Sequence, residues 1–179
     1  MDGHALVTGS SLEGHSENYI DLLSSAGYNV LTTDLERGKG VDISWDLQEE
    51  PPNELENKFQ FIVSTSVLEH IPNAQRACAN LLKLASRSLC FLYISVPWVQ
   101  RYHKYPDDYH RFHGTTLDHY LPRTTIILRS WSTTPDDQFY KYDPGLDERL
   151  GKEIDGKRYL PYLCLHEFRM IQESSSNDR

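Results

Sequence analysis

Glu69 and His70 stand side by side after the apolar run "FQFIVSTSVL", and further on His103, Asp107, Asp108, His110, Arg111 and His113 crowd one short segment. These residue types can move protons or hold a cation. An imidazole titrates near neutrality, so His70 is the first candidate for a general base, with Asp108 and His110 behind it. The same His70 could equally be a helix-start histidine bonded to backbone. Histidines with carboxylates at short spacing can also bind a metal, but this spacing is not diagnostic of one. Arg111 has Asp107 and Asp108 as neighbours and could pair with either. The aromatics Trp98, Tyr102, Tyr105, Tyr109 and Phe112 line an apolar pocket or pack beneath a long loop.

A third feature is the loop "LVTGSSLEGHS", Leu6 to Ser16. Its glycines fit the spacing of a phosphate-cradling P-loop, but His15 stands where the lysine is needed, and "FQFIVSTS" ends without the acid that would hold magnesium. A dinucleotide fingerprint cannot be laid on Gly9 and Gly14 either, although Asp34 lies at the distance of a ribose acid. NAD or another nucleotide is therefore a lesser alternative.

The elements that must position these residues alternate between two periods. A strand at His4–Val7 feeds the loop, and Ser16 caps a helix that stops at Gly27. "NVLTTD" is a second strand ending at Asp34, and "VDISWDL" a short third. "FQFIVSTS" and "LCFLYISVPW" are continuous apolar runs, the mark of strands buried on both faces of a parallel sheet. Between them, Asn73 caps a helix with Ala77, Cys78, Leu81, Leu82 and Ala85 on one face. A helix "TTLDHYL" and two late strands, "TTIILRSWS" and "YLCLHEFRMIQ", complete the order. The polar segment 133–158 between those strands is a long loop, expected to be a lid or mobile. Strand–helix alternation implies a doubly wound sheet with its ligand site beyond the carboxyl ends of the strands.

Composition sets the outer bounds. The 179 residues, with net charge -8, form one domain over 1–172 with a flexible tail at 173–179. They lack the basic face that bulk nucleic-acid binding requires. There is no apolar run of membrane-spanning length and no secretory signal pattern at the start, so a cytoplasmic protein with no membrane partner is expected. Cys78, Cys90 and Cys164 fit neither a disulfide framework nor a zinc motif and are expected to be buried thiols.

The stretches "VLTTD", "DISWDLQEEPP", "FQFIVSTSVLEHIPN", "LCFLYISVPW" and "YPDDYHRF" together resemble class I S-adenosylmethionine-dependent methyltransferases of the small type called methyltransferase type 11, over most of Leu6 to Pro122. That resemblance implies an α/β three-layer Rossmann-like sandwich, its seven-stranded sheet mostly parallel with an antiparallel last strand. It implies S-adenosyl-L-methionine as cofactor, held by Thr8, Gly9 and Ser10 along the methionine part. Asp34 and Leu35 would lie at the ribose, Asp46 and Leu47 at the adenine, and Ser66 and Val67 along the border. Glu69 and His70 would face the reacting end. "PDDYHRF" would border the acceptor, a small molecule or glycan, through Trp98, His103, Tyr109 and Arg111, and on that ground no metal is assigned. Val7 stands where such proteins carry an acid and Ser11 where they carry a glycine, which keeps a non-catalytic binding module of the same fold as the alternative. The first strand lies so near Met1 that another element, such as a second copy in a homodimer, would have to cover the site.

Overall fold

The computed structural model describes residues 3–10, 17–100, 102–103, 107–133, 138–141 and 162–172. The tail 173–179 and most of 133–158 lie outside them, as do Ser11–Ser16 with the expected helix cap. Five parallel strands form the first part of the sheet: β1 (Gly3–Thr8), β2 (Tyr28–Asp34), β3 (Ile43–Ser44), β4 (Phe61–Thr65) and β5 (Cys90–Gln100). Beyond β5 come β6 (Thr125–Thr133), β7 (Gln138–Lys141) and β8 (Tyr162–Ile171), and the full order is β3-β2-β1-β4-β5-β8-β6-β7.

β8 runs antiparallel between β5 and β6, so the last strand reverses as expected. The sheet has eight strands rather than seven, because Gln138–Lys141, inside the segment read as loop, folds back on β6 as an antiparallel edge strand. β3 is shorter than "VDISWDL". The Asp42 side chain leaves the ladder to accept from the N–H and Oγ1 of Thr32, both at 2.9 Å, and Asp46 turns the chain two residues past Ser44. Such side-chain bonds give the backbone an alternative to the ladder.

The apolar runs bury both sheet faces. Ala5, Val7 and Val63 pack beneath α1 (Glu17–Ser25), and Leu6, Ile62, Leu92, Ile94 and Val96 face the larger core built with α2 (Ala74–Leu84) and α3 (Gly114–Tyr120). Alternation along each strand sends successive residues to opposite layers. α2 starts at the expected cap, where Asn73 Oδ1 accepts from Arg76 N–H at 3.1 Å. α1 gives way to a turn with Gly27 at φ +88°. All three cysteines are buried and outside any disulfide, and burial pushes the Cys78 and Cys90 thiols up to about 12. Among the described residues no helix is long and apolar enough to cross a membrane.

A charged network, invisible to hydrophobic patterning, ties α3 to the far half of the sheet. Glu167 accepts from Arg129 Nε and Arg169 Nε, each at 2.5 Å, and both guanidiniums also reach Asp118 Oδ1 at 2.6 Å. Arg129 also donates to the Gly114 carbonyl, and a Cβ on Gly114 would stand 2.8 Å from the guanidinium carbon. Two cations and two carboxylates balance in a site where Glu167 and Arg169 are buried. Removing one member of such a group strands the others away from water, at a cost of about 3–5 kcal/mol. Glu167→Gln should therefore lower unfolding free energy in urea by about 3–5 kcal/mol, whereas Glu54→Gln on the exposed surface should stay within about 0.5 kcal/mol of the parent. A loss for Glu167→Gln no larger than the surface control would mean that the network does not hold this half together.

Candidate functional site

The carboxyl ends of β1, β2 and β4 lie side by side, with Thr8 opposite Thr33 on one flank and Ser64 on the other. Gly9 leaves β1 at φ +69°, donating its N–H to the Thr33 carbonyl at 2.9 Å. Ser10 N–H and Oγ reach the same carbonyl, each at 3.4 Å. A Cβ on Gly9 would stand 2.4 Å from Val67 Cγ2, so both the dihedral and the space demand glycine. The close approach joins the first loop to the end of β4, bringing together two expected cofactor segments. Thr8 is buried and directs Oγ1 to the Val63 carbonyl at 3.4 Å, so it offers the site backbone only.

Asp34 is half-buried at the tip of β2, its Oδ1 accepting from Glu36 N–H at 3.3 Å, with Leu35 exposed beside it. The chain then returns, and Trp45 N–H donates to the Asp34 carbonyl at 2.9 Å. Asp46 accepts from the Gln48 N–H at 2.9 Å and from the Gln48 side-chain amide, forming a closed turn. Leu47 packs into the large core, and its carbonyl accepts from Asn80 Nδ2 at 2.8 Å. At the end of β4, Ser66 takes φ +52° with its N–H on the Ser95 carbonyl, and Val67 leads into a 3-10 turn, Leu68–His70.

The segment after β5 folds back over that turn. Tyr109 N–H donates to the Glu69 carbonyl at 2.8 Å, and Phe112 N–H to the Pro97 carbonyl at 2.8 Å. Asp108 holds the fold-back together. Its side chain is 0% exposed and accepts from Arg111 Nη1, from Nη2 at 2.6 Å and from His103 N–H at 3.0 Å. The Arg111 hydrogen bonds keep the Asp108 carboxyl far below the usual carboxylate range. Arg111 also reaches the carbonyls of Gln100 and His110, so the internal pairing with Asp108 is the one realised. His110 Nε2 lies 3.0 Å from the Ile71 carbonyl and 3.1 Å from that of Pro72. Asp108 and His110, both candidate proton carriers, are thus engaged in holding the segment.

Glu69 and His70 are placed differently. Glu69 is 1% exposed, its Oε2 buried without a hydrogen-bond partner among the described residues, and burial raises its carboxyl to about 7 despite the opposing pull of its own backbone N–H. His70 Nδ1 lies 2.6 Å from the Asp107 carbonyl, which fixes the proton on Nδ1 and leaves the Nε2 lone pair 3.9 Å from Glu69 Oε1. The His103 ring meets that of His70 edge-on, with centroids 4.9 Å apart. Of the aromatics, Trp98 packs against Trp131 at 5.2 Å and His113 at 6.1 Å, while Tyr109 and Tyr102 are exposed. Tyr102 donates its hydroxyl to Asp107 Oδ1 at 2.7 Å.

No family model matches this chain, and no curated protein matches it. Solved structures do. The CMeT domain of the citrinin polyketide synthase superposes with a TM-score of 0.63 at 11% identity, covering 97% of this chain and 47% of that one. This chain thus spans about half the length of that match. The N-methyltransferase NodS from Bradyrhizobium japonicum, solved with S-adenosyl-L-homocysteine, gives 0.59 at 13% identity over 94% of this chain and 78% of its own. A SAM-dependent methyltransferase from Aquifex aeolicus gives 0.55 at 12% identity over 94% and 82%. The chain has the class I methyltransferase fold.

Within this methyltransferase fold, the expected cofactor residues gather at the carboxyl ends of the first strands, with Thr8, Ser10 and Leu47 buried and Val67 packed against the core, and Glu69 and His70 lie past the end of β4. The contact that most depends on a single atom is Gly9 against Val67. Gly9→Ala combines a disfavoured dihedral with a clash and should destabilise the protein by more than about 1 kcal/mol. Adding Val67→Ala should restore part of that loss in thermal melts by removing the clash while the dihedral strain stays. No restoration would show that the two loops do not meet.

Proposed function

We propose that the chain is an S-adenosylmethionine-dependent methyltransferase acting on a small-molecule or glycan acceptor by in-line transfer. The observation that carries this reading is the turn at the carboxyl ends of the parallel strands: Gly9 leaves β1 at positive φ, packed against Val67 from the end of β4, with the half-buried carboxylate of Asp34 at the tip of the neighbouring β2. A backbone turn of this kind, beside an acid with two acceptor oxygens, fits an adenosyl ligand passing its chain along backbone and its ribose hydroxyls to the acid. When bound, the cofactor supplies an electrophilic methyl on sulfur.

The chain's own work is then to bind, align and exclude water. Gly9 and Ser10 would pass the methionine part, Asp34 and Leu35 the ribose, Asp46 the adenine edge, and Ser66 and Val67 would close the border. Glu69 and His70 would form the polar wall at the reacting end, where an acceptor hydroxyl or amine gives up its proton. Trp98, His103 and Tyr109 would border the acceptor, and the Asp108–Arg111 pair would position that wall. A second reading, a binding module without catalysis, is favoured by Val7, which is buried beneath α1 and leaves the end of β1 without an acid.

Titration calorimetry separates the possibilities. S-adenosylmethionine and S-adenosylhomocysteine should both bind, and Asp34→Ala should weaken them by about 10-fold or more, as loss of a hydrogen-bonding carboxylate does, with the far-UV circular dichroism unchanged. Absence of binding by either ligand at millimolar concentration would overturn the cofactor assignment. Binding without methyl release on any acceptor of a broad panel would favour the module.

A further inference from the structure

We propose that Glu69, His70 and His103 form a binding site for one divalent first-row metal ion. One donor atom from each lies within 4.8 Å of the other two. Donors around a tetrahedral ion at about 2.1 Å stand roughly 3.4 Å apart, so the group closes around an ion by a side-chain rotation, for which the exposed side of His103 leaves room. Two imidazoles and one carboxylate are the donor set that suits ions of borderline softness such as zinc, cobalt or ferrous iron.

Two features of the surroundings point to a ligand rather than to chance proximity. Glu69 is almost wholly buried, and its Oε2 has no hydrogen-bond partner among the described residues. Burying a carboxylate without a partner is costly, and a cation is what offsets it. The nearest guanidinium cannot serve, because Arg111 is taken up by Asp108. The second feature is orientation. Metal-binding histidines characteristically give their other ring N–H to a carbonyl or carboxylate, which fixes the tautomer. His70 does this through Nδ1 to the Asp107 carbonyl at 2.6 Å, while His103 Nδ1 lies 3.1 Å from Asp108 Oδ2 as an ion-pair contact and is buried with no hydrogen-bond partner among the described residues. His70 can then present Nε2, and His103 a ring nitrogen, to a common ion. With three protein ligands, a coordination position stays open toward the exposed side of His103, where an oxygen of the acceptor could enter.

The site stands on its own geometry, and its place at the reacting end rests on the methyltransferase reading. The test therefore measures metal without cofactor. Full-length protein stripped with EDTA and titrated with zinc should bind one ion per chain at micromolar or lower Kd, and cobalt should produce visible absorption bands of a nitrogen- and oxygen-ligated ion. His103→Ala and Glu69→Gln should each weaken zinc binding by at least about 10-fold, while His119→Ala, on an exposed helix face, should leave it unchanged. Zinc binding that is absent, or that survives His103→Ala, would overturn the site. Because His103 is half-exposed, its alanine variant keeps the test decisive even if Glu69→Gln fails to fold. Titrating S-adenosylmethionine into the same stripped protein reports the cofactor separately, so loss of one proposal leaves the other measurable.

Discussion

The geometry beyond β4 depends on one buried pair, Asp108 with Arg111. The carboxylate is wholly enclosed, and its partners among the described residues belong to the segment that it folds: the Arg111 guanidinium, the His103 N–H and the His103 ring. A buried carboxylate is tolerated only when its charge and its lone pairs are matched. Here the match comes from residues on either side in sequence, so the pair closes a tight local loop. That loop lays the Asp107 carbonyl on His70 and the Tyr109 N–H on the Glu69 carbonyl. Without the clamp, the 3-10 turn Leu68–His70 would keep its helical bonds but lose the contact that fixes the tautomer of His70. Asp108 thus sets the position of His70 through the fold of the segment, without touching it.

The two ends of the site are built by different means. On the loop side, Gly9 and Ser10 share the Thr33 carbonyl, and a steric limit at Val67 sets the approach. In the segment that folds back after β5, charged and aromatic side chains dominate. The far half of the sheet uses a third device, the Arg129, Glu167, Arg169 and Asp118 group, which fastens α3 and keeps β8 between β5 and β6. α3 follows directly from the clamped segment through its cap, His113, whose ring nitrogen accepts from Thr115 N–H at 3.3 Å. Clamp, cap and network thus succeed one another from the turn after β4 to the far half of the sheet.

Much of this was legible in the residues because burial leaves a periodic trace. The doubly buried runs around Ile62 and Leu92, the Asn73 cap, the stop at Gly27 and the buried thiols all report local or one-dimensional preferences. The strand at Gln138–Lys141 left no such trace, since an edge strand in a polar segment lacks the alternation that marks a half-buried one. Asp46 matched a ligand-binding pattern, yet in the fold its oxygens are shared with Gln48 in a turn. The Glu69, His70 and His103 group was illegible for a different reason. Its members are separated by a whole helix and strand, and only the fold-back driven by Asp108 brings His103 to the pair.

That division also explains how structures at 11 to 13% identity share this architecture while no family model matches the chain. The contacts at the carboxyl ends of the first strands run largely through main-chain groups: the Gly9 and Ser10 N–H groups on Thr33, Ser66 N–H on Ser95 and Trp45 N–H on Asp34. A main-chain hydrogen bond persists under almost any substitution that keeps the local dihedral, so the frame survives wide sequence change, and only Gly9, where dihedral and space both bind, is tightly fixed by type. The segment after β5 has the opposite character. Its shape is written in side-chain charge, in Asp108, Arg111, Glu69 and His103, where one replacement leaves a buried group unmatched. Sequence freedom at the carboxyl ends of β1, β2 and β4 thus stands beside strict side-chain matching in the segment that folds over them.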